Sequence, residues 1–292
     1  MPILALLVIG FTAGVCGSFF GLGGAFIVTP AIHILGIPIV YAVGTGIAFV
    51  VGAALASAVR HARMGNVDFK LGLILLAGTL PTVEMGKRTL IYLETLGVVG
   101  PVVRVIYFTL LVGIGLYTAY DILWRKRHGK RATVSPGDRR PRVISARPML
   151  ALSRSRLARI SLWQVILIGA VTGFVAGFMG IAGGMILVTA LIYMVGFPPA
   201  VAAGTSLFVG SFIATYASLS YALAGRVELP ASIILLAAAV PGIQIGILAV
   251  RFVSGQRWRL FFAITMILVG ISVAIKQLAL WRGSPGLQDL ST

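Results

Sequence analysis

Two glycine-rich interruptions constrain this chain more than any other feature. Gly17-Ser18-Phe19-Phe20-Gly21-Leu22-Gly23-Gly24 breaks one long apolar run, and Gly177-Phe178-Met179-Gly180-Ile181-Ala182-Gly183-Gly184 breaks another. A continuous helix is disfavoured at both places, because each interior glycine costs about 1 kcal/mol relative to alanine. As a single helix the run from Met1 to Gly36 would extend about 54 Å, against a hydrocarbon core of about 30 Å. It is therefore expected as two pieces: Ile3 to Phe20, which nearly spans, and Ala25 to Leu35, which is too short to do so.

The rest of the chain has the composition of a polytopic membrane protein. Of its 292 residues, 59% are hydrophobic and 11% charged, with a mean hydropathy of +1.03. No single soluble core could hide so much apolar surface. The net charge of +17 is concentrated, with half of the 24 Lys and Arg residues between Arg125 and Arg159. Such clustering fits a cytoplasmic loop under the positive-inside rule and argues against a nucleic-acid partner. The single Cys16 excludes an intramolecular disulfide and offers no metal pair. Met1 to Leu7 lack the basic start of a signal peptide, so this segment is read as the first membrane element, retained in the mature protein.

Further helices are expected from about Tyr41 to Val59, Leu71 to Met85 with a kink at Pro81, and Val99 to Trp124. Lys87-Arg88 and Glu94 mark a short polar connection. The pattern restarts with Leu162 to Met179, Met185 to Val195, Val201 to Leu223, Ala231 to Val250 and Trp258 to Leu280. Four regions result: a first transmembrane repeat (1–124), a basic and largely flexible cytoplasmic linker (125–161), a second repeat (162–282) and a short tail (283–292).

The halves align without a gap from Phe11 to Gly86 at a constant offset of about 160 residues. Gly17, Gly23-Gly24, Thr29, Pro38, Gly44-Thr45, Gly65 and Pro81 all recur at that offset. The fold class expected is an all-α polytopic membrane protein of two tandem repeats, each with a glycine-broken, re-entrant or spanning, helix plus three transmembrane helices. Either form of the broken element leaves an odd number of crossings per half, which inverts one half relative to the other. Inversion puts Arg60-His61-Ala62-Arg63 and the Arg251, Arg257, Arg259 group on the linker side, with Arg226 and Glu228 opposite as a neutral pair; a parallel arrangement of four crossings per half is the alternative and would put the Arg251 group opposite, and Lys87-Arg88 alone argues against inversion.

Seven carboxylates occur in the whole chain, and nearly all fall in expected loops or helix ends. The one intramembrane candidate is Glu84, whose repeat counterpart is Gln244. It is a coupling or gating candidate for protons or Na+, or else an interfacial acid paired with Lys87 or Arg88. An anion site is better supplied. A helix broken at glycines exposes unpaired amides at the start of the next half-helix, where the macrodipole favours negative charge. The candidate substrate residues are Gly21, Gly23 and Gly24 with Gly183 and Gly184, joined by Gly44, Thr45, Gly204, Thr205 and Ser206. Close helix packing at small residues is the competing account of these glycines. His33 is expected as a packed or interfacial residue, while Arg60, His61 and Arg63 are expected as a cytoplasmic collar, either one that attracts anions or simply a solvated face.

The pattern Gly17-x3-Gly21-x-Gly23-Gly24, then Thr29-Pro30, Gly44-Thr45 and Gly65-x-Val67-Asp68 resembles the sulfite exporter TauE/SafE family, also known as 4-toluene sulfonate uptake permeases. The resemblance covers both repeats. It implies a secondary transporter of the bacterial cytoplasmic (inner) membrane that handles sulfite, sulfoacetate or other organosulfonates. An alternating-access carrier is the expectation, without cofactor, metal or catalytic residue, since no His, Cys or carboxylate cluster has ligand spacing. Ala190 replaces Pro30 in the second copy, and the charges of Glu84, Lys87 and Arg88 depart from the family's pattern. Two rival readings stand beside it: a proton- or cation-coupled permease for a non-sulfur substrate, and a non-transporting scaffold whose linker binds anionic lipid.

Overall fold

The structure is a computed structural model that describes residues 3–127, 149–150 and 160–282. The described residues form ten helices: α1 (Ile3–Phe20), α2 (Ala25–Ile34), α3 (Ile39–Arg63), α4 (Phe69–Thr95), α5 (Val99–Arg127), α6 (Leu162–Met179), α7 (Gly184–Tyr193), α8 (Pro199–Leu223), α9 (Leu229–Phe252) and α10 (Gly255–Arg282). Eight are long and apolar enough to cross a membrane, while α2 and α7 have 10 residues each. A two-residue antiparallel ladder, β1 (Met149–Leu150) with β2 (Ile160–Ser161), precedes α6. Most of the expected flexible linker and the whole tail 283–292 lie outside the described residues.

One boundary differs from the sequence expectation. The third long helix does not end near Met85 but continues as α4 through Pro81 to Thr95, so Lys87, Arg88 and Glu94 are helical rather than a connection. Its start is fastened by Asp68, whose carboxylate accepts the amide of Leu71 at 3.0 Å.

The glycine-broken element is a re-entrant hairpin. The carbonyl of Gly17 accepts the amides of Gly21 and Leu22 at 3.0 and 2.9 Å, which turns the chain within one helical turn. Gly24 then lies against Ala13, where an added Cβ would sit 2.6 Å from the Ala13 carbonyl. So α2 runs back along α1. In the second half Gly183 lies likewise against Thr172 of α6, so α7 runs back along its predecessor.

Helix pairing follows from small residues. In α6, Gly169, Gly173 and Gly177 meet the carbonyls of Leu75, Thr79 and Val83 in α4, one glycine per turn against one carbonyl per turn. Backbones approach that closely only where no side chain intervenes, and in lipid such packing supplies much of the helix association. The same relation joins Gly10 and Gly14 of α1 to Leu235 and Ala239 of α9. The principal pairs are α1 with α9, α4 with α6, α3 with α8 and α5 with α10. Bulky apolar residues such as Leu55, Leu219, Leu223 and Phe252 face outward, as a bilayer requires.

Candidate functional site

The two breaks meet in the interior. An added Cβ at Gly184 would lie 2.7 Å from the Cα of Leu22, so one turn packs directly on the other. Gly21 abuts Ala203 of α8, and Gly180 abuts Val43 of α3. Gly24 caps α2 with φ of 93° and Gly183 caps α7 with φ of 70°, and neither helix has a side-chain cap at its start. That left-handed conformation suits glycine and is strained for any residue with a Cβ.

The hydrogen bonding of the breaks is lopsided. At the ends of the incoming helices the carbonyls are occupied: Trp258 Nε1 donates to Phe19 O at 2.9 Å, and His61 Nε2 lies 3.4 Å from Ser18 O. In the other half Tyr107 Oη donates to Met179 O at 2.7 Å and Tyr221 Oη to Gly177 O at 2.6 Å. At the starts of the outgoing half-helices the amides of Ala25 and Phe26, and of Met185 and Ile186, have no hydrogen-bond acceptor among the described residues. Ala25, Phe26 and Met185 are buried. Donor capacity and the positive ends of two helix dipoles are thus left in the interior, while the opposing carbonyls are neutralised by rings from α3, α5, α8 and α10.

This placement corrects the expected role of His61. It is fully buried and supports the end of α1, and does not belong to an exposed collar. His61 and Tyr221 share the repeat offset and each approach a carbonyl at a broken helix end. That offset was the signal in the sequence that could have found them. Tyr107 and Trp258 carried no such signal.

The candidate hydroxyls serve the junctions between halves. Thr45 Oγ1 accepts the amide of Glu228, and Thr205 Oγ1 accepts the amide of Asp68, each at 3.0 Å. Beside them Gly44 meets the carbonyl of Arg226 and Gly204 that of Asn66. The start of α3 therefore lies beside the end of α8, and the start of α8 beside the end of α3. Ser206 is buried and its Oγ has no partner among the described residues. Gly23 packs against Val50.

The ionic residues divide differently from the sequence expectation. Glu84 is held by Lys87 and Arg88, each at 3.1 Å, and by Ser220 Oγ of α8 at 2.7 Å. Gln244 is exposed and Arg60 half-buried. Arg226 pairs with Glu94 at 3.0 Å, not with Glu228 as expected, and stacks on Tyr41. Arg259 is not a loop cation: it is buried, ion-paired with Asp121 of α5, and donates to Tyr193 Oη of α7 at 2.8 Å. Asp121 is thus the most deeply enclosed acid of an intramembrane pair, which its place near a helix end had concealed. Among the described residues no group of three His, Cys, Asp or Glu side chains is placed to hold a metal.

Multi-pass helices folded around two re-entrant, amide-bearing half-helices define a membrane transporter, and known proteins agree. The family model described as sulfite exporter TauE/SafE matches residues 6–273, and the chain belongs to that family. It is similar to the probable membrane transporter protein YunE of Bacillus subtilis, 24% identical over 92% of this chain and 96% of the relative. YjnA of the same organism, also named a probable membrane transporter protein, is 25% identical over 83% of this chain and 88% of its own. A probable membrane transporter protein of Methanocaldococcus jannaschii is 24% identical over 91% and 93%. No solved structure matches the chain. The protein is a multi-pass membrane transporter and not an enzyme.

Proposed function

We propose that this transporter carries small sulfur-containing anions, such as sulfite, sulfoacetate or other organosulfonates, by alternating access around the two glycine breaks. One observation carries the reading: two half-helix N-termini, α2 and α7, bring acceptor-free amides to a shared interior contact where Gly184 meets Leu22. Pyramidal and tetrahedral oxyanions present several acceptors at once, which suits converging amide donors. The family's description supports the substrate class. Gly21, Gly23, Gly24, Gly183 and Gly184 shape the approach, Ser206 supplies a free hydroxyl, and Thr45 and Thr205 with Gly44 and Gly204 hold the halves in register around it.

The matched helix lengths and the reversed order of α3 and α8 support an inverted repeat. With the basic linker on the cytoplasmic side of the inner membrane, the linker side holds the ends of α3 and α9, including Arg60, Arg63 and Arg251. Glu84, bound to Lys87 and to Ser220 of α8, suits a gating contact between α4 and α8 better than a free coupling acid. Coupling of the anion to protons or Na+ is part of the same proposal. Purified protein in liposomes is to be assayed for sulfite, sulfate, sulfoacetate and taurine flux, with and without a pH gradient. Saturable flux of sulfite or a sulfonate, lost in Gly184→Val, is expected. Absence of any anion flux alongside intact cation flux overturns the proposal.

A further inference from the structure

His61 of α3 is a buried base at the first glycine break. Its side chain is fully buried, and its Nε2 lies 3.4 Å from the carbonyl of Ser18 in the last turn of α1. A carbonyl can only accept, so Nε2 carries the proton and Nδ1 is the bare acceptor of a neutral imidazole. That Nδ1 is buried and has no hydrogen-bond partner among the described residues. The start of α2 lies on the same turn, because an added Cβ at Gly17, next to Ser18, would sit 2.5 Å from the Gly24 amide nitrogen. On the other side His61 packs against α8, its Cβ 3.1 Å from where one at Gly204 would be. Neither α1 nor α8 contains an Asp, Glu, Lys or Arg. The other charged groups of the region are Arg60 and Arg63 of α3 itself, Arg251 of α9, which reaches Met64, and Asp68 of the following turn, whose carboxylate holds the Leu71 amide. From α10, Trp258 reaches Phe19, flanked in sequence by Arg257 and by Arg259, which Asp121 neutralises. No carboxylate among the described residues is ion-paired with His61.

The second half lacks this base. Tyr221, at the same repeat offset, donates its one proton to Gly177 O at 2.6 Å, and a phenol has no basic site for a second. Both breaks are held alike, but only one of the two holders can gain a charge. An imidazolium enclosed without a counter-ion is costly, and so is an enclosed oxyanion; brought in together, each offsets the other. The carbonyls that end α1 also favour a cation at this turn. We propose that His61 is the proton-coupling residue of this transporter: Nδ1 takes up one proton as a small oxyanion binds at the glycine breaks, and releases it when the anion leaves. The proton comes from the aqueous phase and returns to it, and no bond to the substrate forms. This inference rests on the anion reading of the breaks and names the residue that links it to protons.

The test is calorimetric titration of methanesulfonate, an anion that does not itself titrate, into the full-length protein in phosphatidylcholine nanodiscs between about pH 8 and about pH 5. Proton uptake on binding means that affinity rises as pH falls, by about tenfold over this range. In His61→Gln, whose amide still offers Ser18 a donor, affinity should no longer vary with pH. Where that variant fails to fold, His61→Tyr takes its place, since Tyr221 shows a phenol accommodated at the equivalent position. The parent protein gives a second reading through the 15N resonances of its three histidines, assigned with His33→Gln and His128→Gln. Saturating methanesulfonate should protonate His61 Nδ1 at a pH where the anion-free protein keeps it bare. Binding that ignores pH, an undiminished pH dependence in the His61 variant, or a His61 resonance unmoved by methanesulfonate overturns the proposal and leaves the anion reading of the breaks intact. No methanesulfonate binding at any pH overturns that reading, and this proposal with it.

Discussion

The two re-entrant half-helices end beside arginines that are treated in opposite ways. At the end of α7, Tyr193 receives a hydrogen bond from Arg259, which is also ion-paired with Asp121 and stacked over the Tyr193 ring. At the end of α2, His33 occupies the corresponding place and meets Arg104 of α5, which pairs with no carboxylate among the described residues. Among the described residues one arginine is neutralised by a carboxylate, and the other is not. A self-neutralised pair resists rearrangement, because separating it would leave two charges uncompensated in a region of low dielectric. Arg259 thus clamps α5, α7 and α10 together. Arg104 is half-exposed instead and reaches His33 and the first turn of its own helix at Gly100.

The largest expected effect comes from breaking the clamp. Asp121→Ala leaves Arg259 buried without its carboxylate and should destabilise the protein by about 3–5 kcal/mol. Denaturation in detergent should show it, and the double variant Asp121→Leu with Arg259→Met should recover most of the loss. A single variant as stable as the parent would end the distinction between the two arginines. Next, Gly44→Val forces a side chain into the Arg226 carbonyl, a cost of about 1–3 kcal/mol for overpacking, together with loss of flux.

Smaller effects sharpen the same contrast. Tyr107→Phe leaves the buried carbonyl of Met179 without its donor and should cost about 1–3 kcal/mol by the same denaturation assay. Glu84→Gln removes a part-exposed pair, so stability should change by less than about 1 kcal/mol. Its flux should fall if Ser220 and Glu84 form a gate, and remain at parental level if they only tie α4 to α8. Arg104→Gln should be nearly neutral, within about 0.5 kcal/mol, because Arg104 is half-exposed and no carboxylate among the described residues pairs with it. A loss as large as that of Asp121→Ala would mean that Arg104 is a clamp too.

Much of this was legible in the chain alone. Hydropathy and length identified the membrane helices, and the glycine pairs Gly23-Gly24 and Gly183-Gly184 marked where they break, since both depend on local composition and backbone preference. The end of α4 was misplaced because Pro81 and the charges after it look like a terminus locally, yet packing carries the helix on to Thr95. The repeat offset brought Gly44-Thr45 and Gly204-Thr205 into view, but not their engagement with the opposite half through Glu228 and Asp68. Asp121, Arg259, Tyr107 and Arg104 were hidden for a related reason. A lone polar residue near a helix end reads as interfacial until the helix facing it is known. The sequence by itself determined that the protein spans a membrane with two helices broken at glycine. Only the tertiary structure decided that the breaks return to their own side, that they meet, and which buried charges are answered, because each of those depends on residues brought together from distant parts of the chain.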